Sequence, residues 1–524
     1  MSLIDTAEAA RRRTTTGPTG HSEGIRMRIR ATTEYGDVEG LTEAGLSVFR
    51  NIPFAAPPFG ARRFRPPQPP EKWHGVRDAS VPGPAAPQPK LEGGDPVDDL
   101  YFNDVATGED CLTLEIWTPE PGAARLPVIV WIHGGGYMIG CSAARAHNGR
   151  TFARDGVVHV AINYRLGVDG FVYLGEGTDN LGLRDQVAAL EWVQRNIAAF
   201  GGDPSNVTIF GQSAGGVSVM NLLAMPSARG LFARAIAQSG SPVGSVLPGE
   251  AARTTKRLAK RLGVAPTRAG FETTTVAQTV AQTMPFALDF ANPLRHGSDS
   301  FMLSPFRAVH GTPTLPQPPI AAAAAAPGLP LITGTTANET IGFLKILGRV
   351  DGINPFLGWY FDRLLGVRRA MKDAYRTGPR KITNTLALVE AAWTDWGFRM
   401  PSLRLVETRV ETTPAVPTWL YEFRWESPAF PAGMGSFHSL EVPFMRDDLA
   451  ALQAVPGSEA WLGQRPPAAL ASAMHAAWVS FAKTGDPGWP AYELAGRKTM
   501  VFDAASKVVS DAAAPERQAW KGHR

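Results

Sequence analysis

A chain of 524 residues, 44% hydrophobic and 19% charged, has the composition of a globular protein with a large core. Its formal charge of +4 is scattered apart from Arg11 to Arg13, too small a cluster to read as a nucleic-acid surface. No apolar run is long enough to span a bilayer, and the Thr-, Gly- and Arg-rich residues 1–25 lack the apolar stretch of a secretory leader, so they are expected to be a disordered tail.

Apolar, β-branched runs then alternate with helical patterns. Strands are expected over Pro127 to His133, Val157 to Asn163, Val207 to Phe210, Ala233 to Gln238, Leu329 to Thr333 and Thr418 to Arg424. Leu183 to Phe200 and Ala214 to Ala224 have helical period. This alternation predicts an α/β protein with a mostly parallel central sheet and helices on both faces. Reactive residues on such sheets sit in loops past the carboxyl ends of the strands. The run Ala321 to Ala326, closed by Pro327 and Gly328, reads as a short helix or linker. Residues 338–404 add helices without a clear strand and are expected to form a cap within one domain over residues 26–524.

The chemistry begins at Gly211-Gln212-Ser213-Ala214-Gly215, where an expected strand runs through G-x-S-x-G directly into a helix. A serine hydroxyl is a weak nucleophile unless a sharp turn exposes it beside a base. Ser213 is therefore the candidate nucleophile. Upstream, a strand empties into His133-Gly134-Gly135-Gly136, where backbone N–H groups can turn toward a developing oxyanion. Gly135, Gly136 and the N–H of Ala214 are the expected oxyanion donors, with His133 supporting their loop.

On sheets that carry such an elbow the triad runs serine, acid, histidine along the chain. Of the ten histidines, His21, His74, His133, His147 and His159 precede Ser213, and His296 and His310 precede the acid candidate. His523 lies in the tail and His475 in a helical run with Trp478 and Phe481. His438, in the loop Gly435-Ser436-Phe437-His438 after a late strand, remains as the general base. Glu339, just past the strand ending in Gly334-Thr335-Thr336, is the carboxylate placed to hold the base's second N–H and stabilise its imidazolium.

Ordered motifs along nearly the whole chain resemble the type-B carboxylesterase family, which includes p-nitrobenzyl esterases, animal carboxylesterases and cholinesterases. They are VFRNIPFAA from Val48, EDCLTLEIWTP from Glu109, WIHGGGYMIG from Trp131, NYRLG from Asn163 and Asn180 to Leu190. FGGDPSNVTIFGQSAGG from Phe200, QSG from Gln238, GTTANET from Gly334, SFHSLEVPF from Ser436 and FAKTGDPGWPAY from Phe481 follow. The resemblance implies an α/β-hydrolase fold, an apolar gorge to the serine, a triad at Ser213, Glu339 and His438, oxyanion donors at Gly135, Gly136 and Ala214, and a structural carboxylate at Glu441. It implies a serine carboxylesterase acting on a small-molecule ester, with no cofactor or metal, and with a lipase or carbamate hydrolase on the same site as alternatives. A silent neuroligin-like binding protein is disfavoured by the intact triad.

Three departures from the family's pattern bear on specificity. The residue before the serine, often acidic in the family, is the neutral Gln212. The stretch from Pro82 to Cys111 has no tryptophan of the kind cholinesterases use to hold a quaternary ammonium. That stretch also keeps only Cys111 of the family's first cysteine pair, with Pro84, Ala85 and Ala86 where the partner would stand. With Cys111 and Cys141 as its two cysteines, the chain carries no disulfide framework, and a cytoplasmic enzyme is expected. Cys141 reads as a buried, inert thiol. Side chains at Tyr101, Phe102, Tyr137 and the cap are expected to shape the pocket.

Overall fold

A computed structural model describes residues 27–523 of the chain except 92–100, 102–104, 123, 176, 326–327, 349–351 and 429–434. The expected tail over 1–25 and Phe102 lie outside the described residues. Among the described residues thirteen strands form one sheet: β1 (Arg28–Thr33), β2 (Gly36–Glu43), β3 (Leu46–Pro53), β4 (Val76–Asp78), β5 (Thr113–Thr118), β6 (Leu126–Ile132), β7 (Val158–Ile162), β8 (Gly202–Gln212), β9 (Arg234–Gln238), β10 (Leu331–Thr336), β11 (Thr418–Phe423), β12 (Lys498–Phe502) and β13 (Lys507–Ser510).

Their spatial order is β1-β2-β3-β5-β7-β6-β8-β9-β10-β11-β12-β13, with β4 beside β2. From β7 to β12 every neighbouring pair is parallel, while β1, β2, β3 and β5 at one end and β13 at the other pair antiparallel. This is the α/β-hydrolase fold.

The strand period of two divides β6 between two cores. Val128, Val130 and Ile132 pack in one layer with Leu183 and Leu190 of the helix Leu181–Asn196, whereas Ile129 and Trp131 pack in the other with Trp478 and Phe481 of the helix Ala468–Thr484. Both faces of the central strands are thereby covered, which is why β6 and β7 read as almost unbroken apolar runs.

All six expected strands are present. The strand expected over Val207 to Phe210 extends at both ends, to Gly202 and Gln212, and its early part is joined to Leu126 across a register irregularity. Local propensity does not encode that extension; pairing with the neighbour does. The helix expected to reach Phe200 ends at Asn196 and continues as a tighter 3₁₀ turn over Ile197–Phe200. Ala321 to Ala325 of the alanine run belong to the helix Pro319–Ala325, and Ala326 and Pro327 lie outside the described residues. The segment 338–404 holds the helices Ile341–Ile346, Pro355–Leu365, Arg369–Thr377 and Thr385–Thr394, a π-helical turn over Asp395–Arg399, and the start of the helix Met400–Thr412.

Candidate active site

Ser213 stands between β8 and the helix Ala214–Ala224 with φ 58° and ψ −125°, a conformation that non-glycine residues rarely adopt. The surroundings enforce it. Its N–H donates to the carbonyl of Gln238 at 2.9 Å, and its carbonyl accepts from Val217 N–H at 2.8 Å. The helix crosses β6 so closely that a Cβ at Gly215 would lie 2.0 Å from the Ile132 carbonyl oxygen, so only glycine permits the turn.

The loop after β6 is held from both sides. The Gly135 carbonyl accepts from the N–H groups of Met138 and Ile139 at 2.9 and 3.2 Å, and in a trans peptide this sends the Gly136 N–H the opposite way. His133 Nδ1 lies 2.9 Å from the Gly134 carbonyl, which orients the next N–H, that of Gly135, by the same argument. The His133 ring stacks on Tyr164 with centroids 4.3 Å apart, and its carbonyl accepts the Tyr164 hydroxyl at 2.7 Å. Burial holds the His133 imidazole neutral, with its pKa pushed down to about 4.

Glu339 follows β10 and is fully buried, yet its carboxylate is well supplied with donors. Oε1 accepts from the Ser239 hydroxyl at 2.7 Å and from the Thr336 N–H at 2.8 Å, and Oε2 lies 2.5 Å from Nδ1 of His438. The loops bearing the two residues are stitched together. Asn338 and Phe437 form an isolated parallel bridge, and the Asn338 N–H donates to the Ser436 carbonyl at 3.0 Å. The His438 ring is flanked by Phe343 and Phe398, at centroid distances of 5.2 and 5.5 Å. Phe398 belongs to the π-helical turn, a local widening often found at functional sites.

Ser213, His438, Gly135, Gly136 and Ala214 all face one cavity of about 380 Å³, while Glu339 lies behind His438. The walls are mainly apolar and include Tyr101 and Tyr137. One wall was not anticipated from sequence. The helix Val276–Phe290 contributes Met284, Ala287 and Leu288, and Ala291 follows it. The spacing 284, 287, 288, 291 is a helical stripe that could have been read as a face, though not as a cavity wall.

Of the other buried histidines, His147 also lines the cavity, while His159 and His475 do not. Burial lowers the pKa of His147, His159 and His475, and nearby Arg446 lowers the first two further. Glu441 is buried near Glu339, and burial together with the Glu339 charge pushes its pKa up to about 8, so it is protonated at neutral pH. Cys111 and Cys141 are both buried, Cys141 among Ala85 and Ala144 beside the cavity loop. Burial pushes the Cys111 thiol up, which leaves it unreactive.

A family model described as the carboxylesterase family matches residues 28–516. The chain is 36% identical over 503 residues to the para-nitrobenzyl esterase of Bacillus subtilis (strain 168), covering 93% of this chain and 97% of that protein. It is 34% identical to the phenmedipham hydrolase of Pseudarthrobacter oxydans over the same shares of the two chains. Among solved structures, a Geobacillus stearothermophilus carboxylesterase superposes with a TM-score of 0.80 at 33% identity, covering 94% of this chain and 100% of that one.

Proposed function

The chain belongs to the carboxylesterase family and is a carboxylic-ester hydrolase, and from that premise we propose that Ser213 is its nucleophile, His438 its general base and Glu339 the carboxylate that orients the base. The 2.5 Å contact of Glu339 with His438 Nδ1, at the cavity that holds the strained Ser213 turn, carries this reading. It leaves Nε2 of the ring as the proton acceptor.

In the proposed cycle Ser213 Oγ attacks the ester carbonyl as His438 Nε2 takes its proton. The carbonyl oxygen becomes an oxyanion facing the N–H groups of Gly135, Gly136 and Ala214. Collapse expels the alcohol, which receives the proton from His438. Water, deprotonated by the same nitrogen, then cleaves the acyl-enzyme. Glu339 holds the ring in place through this cycle, with the Ser239 hydroxyl and the Thr336 N–H fixing its Oε1 and His438 Nδ1 against its Oε2.

We read residues 26–524 as one catalytic domain in which 338–404 is a cap; Phe343 and Phe398, which face the cavity, support that reading. Cytoplasmic residence belongs to the same proposal and is supported by the two buried thiols. Among the described residues no helix is long and apolar enough to cross a membrane.

The test is hydrolysis of p-nitrophenyl esters from acetate to palmitate by the wild type and by Ser213→Ala. A fall of roughly 10⁴ or more on the preferred ester is expected. Equal rates for the two proteins would sink the mechanism. Phenmedipham, the compound in one relative's name, is the second substrate to include.

A further inference from the structure

The side-chain amide of Gln212 bridges the base and its chain neighbour. Its Nε2 lies 3.3 Å from Nε2 of His438, and its Oε1 accepts the Ser439 hydroxyl at 3.0 Å. Gln212 is buried at the end of β8, with its backbone held in the parallel ladder to Gln238. The amide therefore has little freedom to leave.

The tautomer follows from the contacts. With Nδ1 of His438 committed as donor to Glu339, the ring's Nε2 carries the lone pair, and an amide N–H is the partner a lone pair requires. That hydrogen bond exists only while His438 is neutral, because the imidazolium has no lone pair to offer. A bond made to one protonation state shifts the equilibrium toward that state.

We propose that Gln212 is a positioning residue that donates to Nε2 of the neutral His438 ring in the resting enzyme, until the Ser213 hydroxyl displaces it at that lone pair, and so lowers the pH at which the free base becomes protonated. The inference rests on His438 being the base. Ser439 is part of the device, since its hydroxyl fixes the amide oxygen and thereby aims the amide nitrogen at the ring.

Among the described residues, the groups facing His438 are few. Glu339 comes from the loop after β10, Gln212 and Ser213 from the elbow, and the uncharged rings of Phe343 and Phe398 from the segment over the site. Glu441, near Glu339, adds charge only as it ionises, at about pH 8. Below that pH the polar side chains against the ring, among the described residues, are therefore one carboxylate and one amide. Replacing the amide with a second carboxylate would favour the imidazolium, and replacing it with an apolar side chain of similar length would merely remove the preference for the neutral ring.

The experiment is the pH profile of kcat/KM on a short p-nitrophenyl ester for the wild type, Gln212→Met and Gln212→Glu, read on the acid limb below pH 8. The limb should move upward in the order Gln, Met, Glu, with the glutamate variant displaced by about one pH unit or more. Because the limb position is read only from active molecules, partial unfolding of a variant does not change it. If either substitution yields no active protein, Ser439→Ala tests the same device from its far end and should also move the limb upward. An acid limb at the wild-type position in these variants would overturn the inference. His438→Ala, measured alongside, separates the two readings: full activity there would remove His438 as the base, whereas an inactive His438→Ala with an unmoved limb in the Gln212 variants removes only the role of Gln212.

Discussion

Asn338 and Ser436 are joined by a reciprocal pair of hydrogen bonds, the N–H of Asn338 donating to the Ser436 carbonyl at 3.0 Å and the Ser436 N–H donating to Oδ1 of Asn338 at 3.1 Å. Each residue lies one or two positions before a member of the proposed acid–base pair, Glu339 and His438. The pairing thus sets the separation of two loops that are far apart in sequence. Asn338→Ala removes the side-chain half of it, together with a 3.2 Å bond to Glu390. We expect kcat to fall by up to about 10²-fold, the scale of a small misplacement of a reacting group, with KM for a short ester little changed. Steady-state kinetics on p-nitrophenyl acetate checks this, and a wild-type kcat would show that the bridge does not position the pair.

Gly135 makes a separate demand. Its φ is +98°, and a Cβ there would sit 2.0 Å from the Ile139 carbonyl oxygen, so Gly135→Ala must open the turn that aims the loop's N–H groups. Loss of an oxyanion donor costs about 10²- to 10³-fold in kcat. Gly135→Ala should show a loss of that order, with stoichiometric labelling of Ser213 by a sulfonyl fluoride still observed, though slower. Labelling as fast as in the wild type with unchanged turnover would remove Gly135 from the oxyanion site.

Glu441 gives the fold a pH dependence of definite sign. Its pKa is about 8 in the folded protein, against roughly 4.3 for an unperturbed glutamate in an unfolded chain. Between those values the folded state holds a proton that the unfolded state has lost, so stability contributed by the neutral carboxyl is full below the unfolded pKa and declines as pH rises through the folded one. Glu441→Gln keeps a neutral side chain at every pH. Thermal unfolding measured from pH 5 to 8.5 should therefore show Tm of the wild type falling more steeply with rising pH than that of Glu441→Gln; parallel curves would assign the wild-type slope to other groups.

The sequence by itself determined the features whose causes are local. A strand running through Gly211-Gln212-Ser213-Ala214-Gly215 into a helix allows few backbone paths, because the glycines serve contacts with the immediately adjoining strand. The alternation of apolar strands with helices required a covered, mostly parallel sheet, and chain order reduced the histidines to His438 and placed Glu339 just after a strand. The flanking antiparallel strands β1, β2 and β13 escaped notice since their residues are mixed and half-exposed, and their form comes from pairing with a neighbour rather than from propensity. Tertiary structure alone decided that Ser239, carried on the neighbouring strand's exit loop, donates to Glu339, and that Gln212 meets His438. It also turned the stripe from Met284 to Ala291 into a cavity wall. Such contacts join side chains distant in sequence, and they depend on how the whole sheet and its layers pack, a sum that no local window contains.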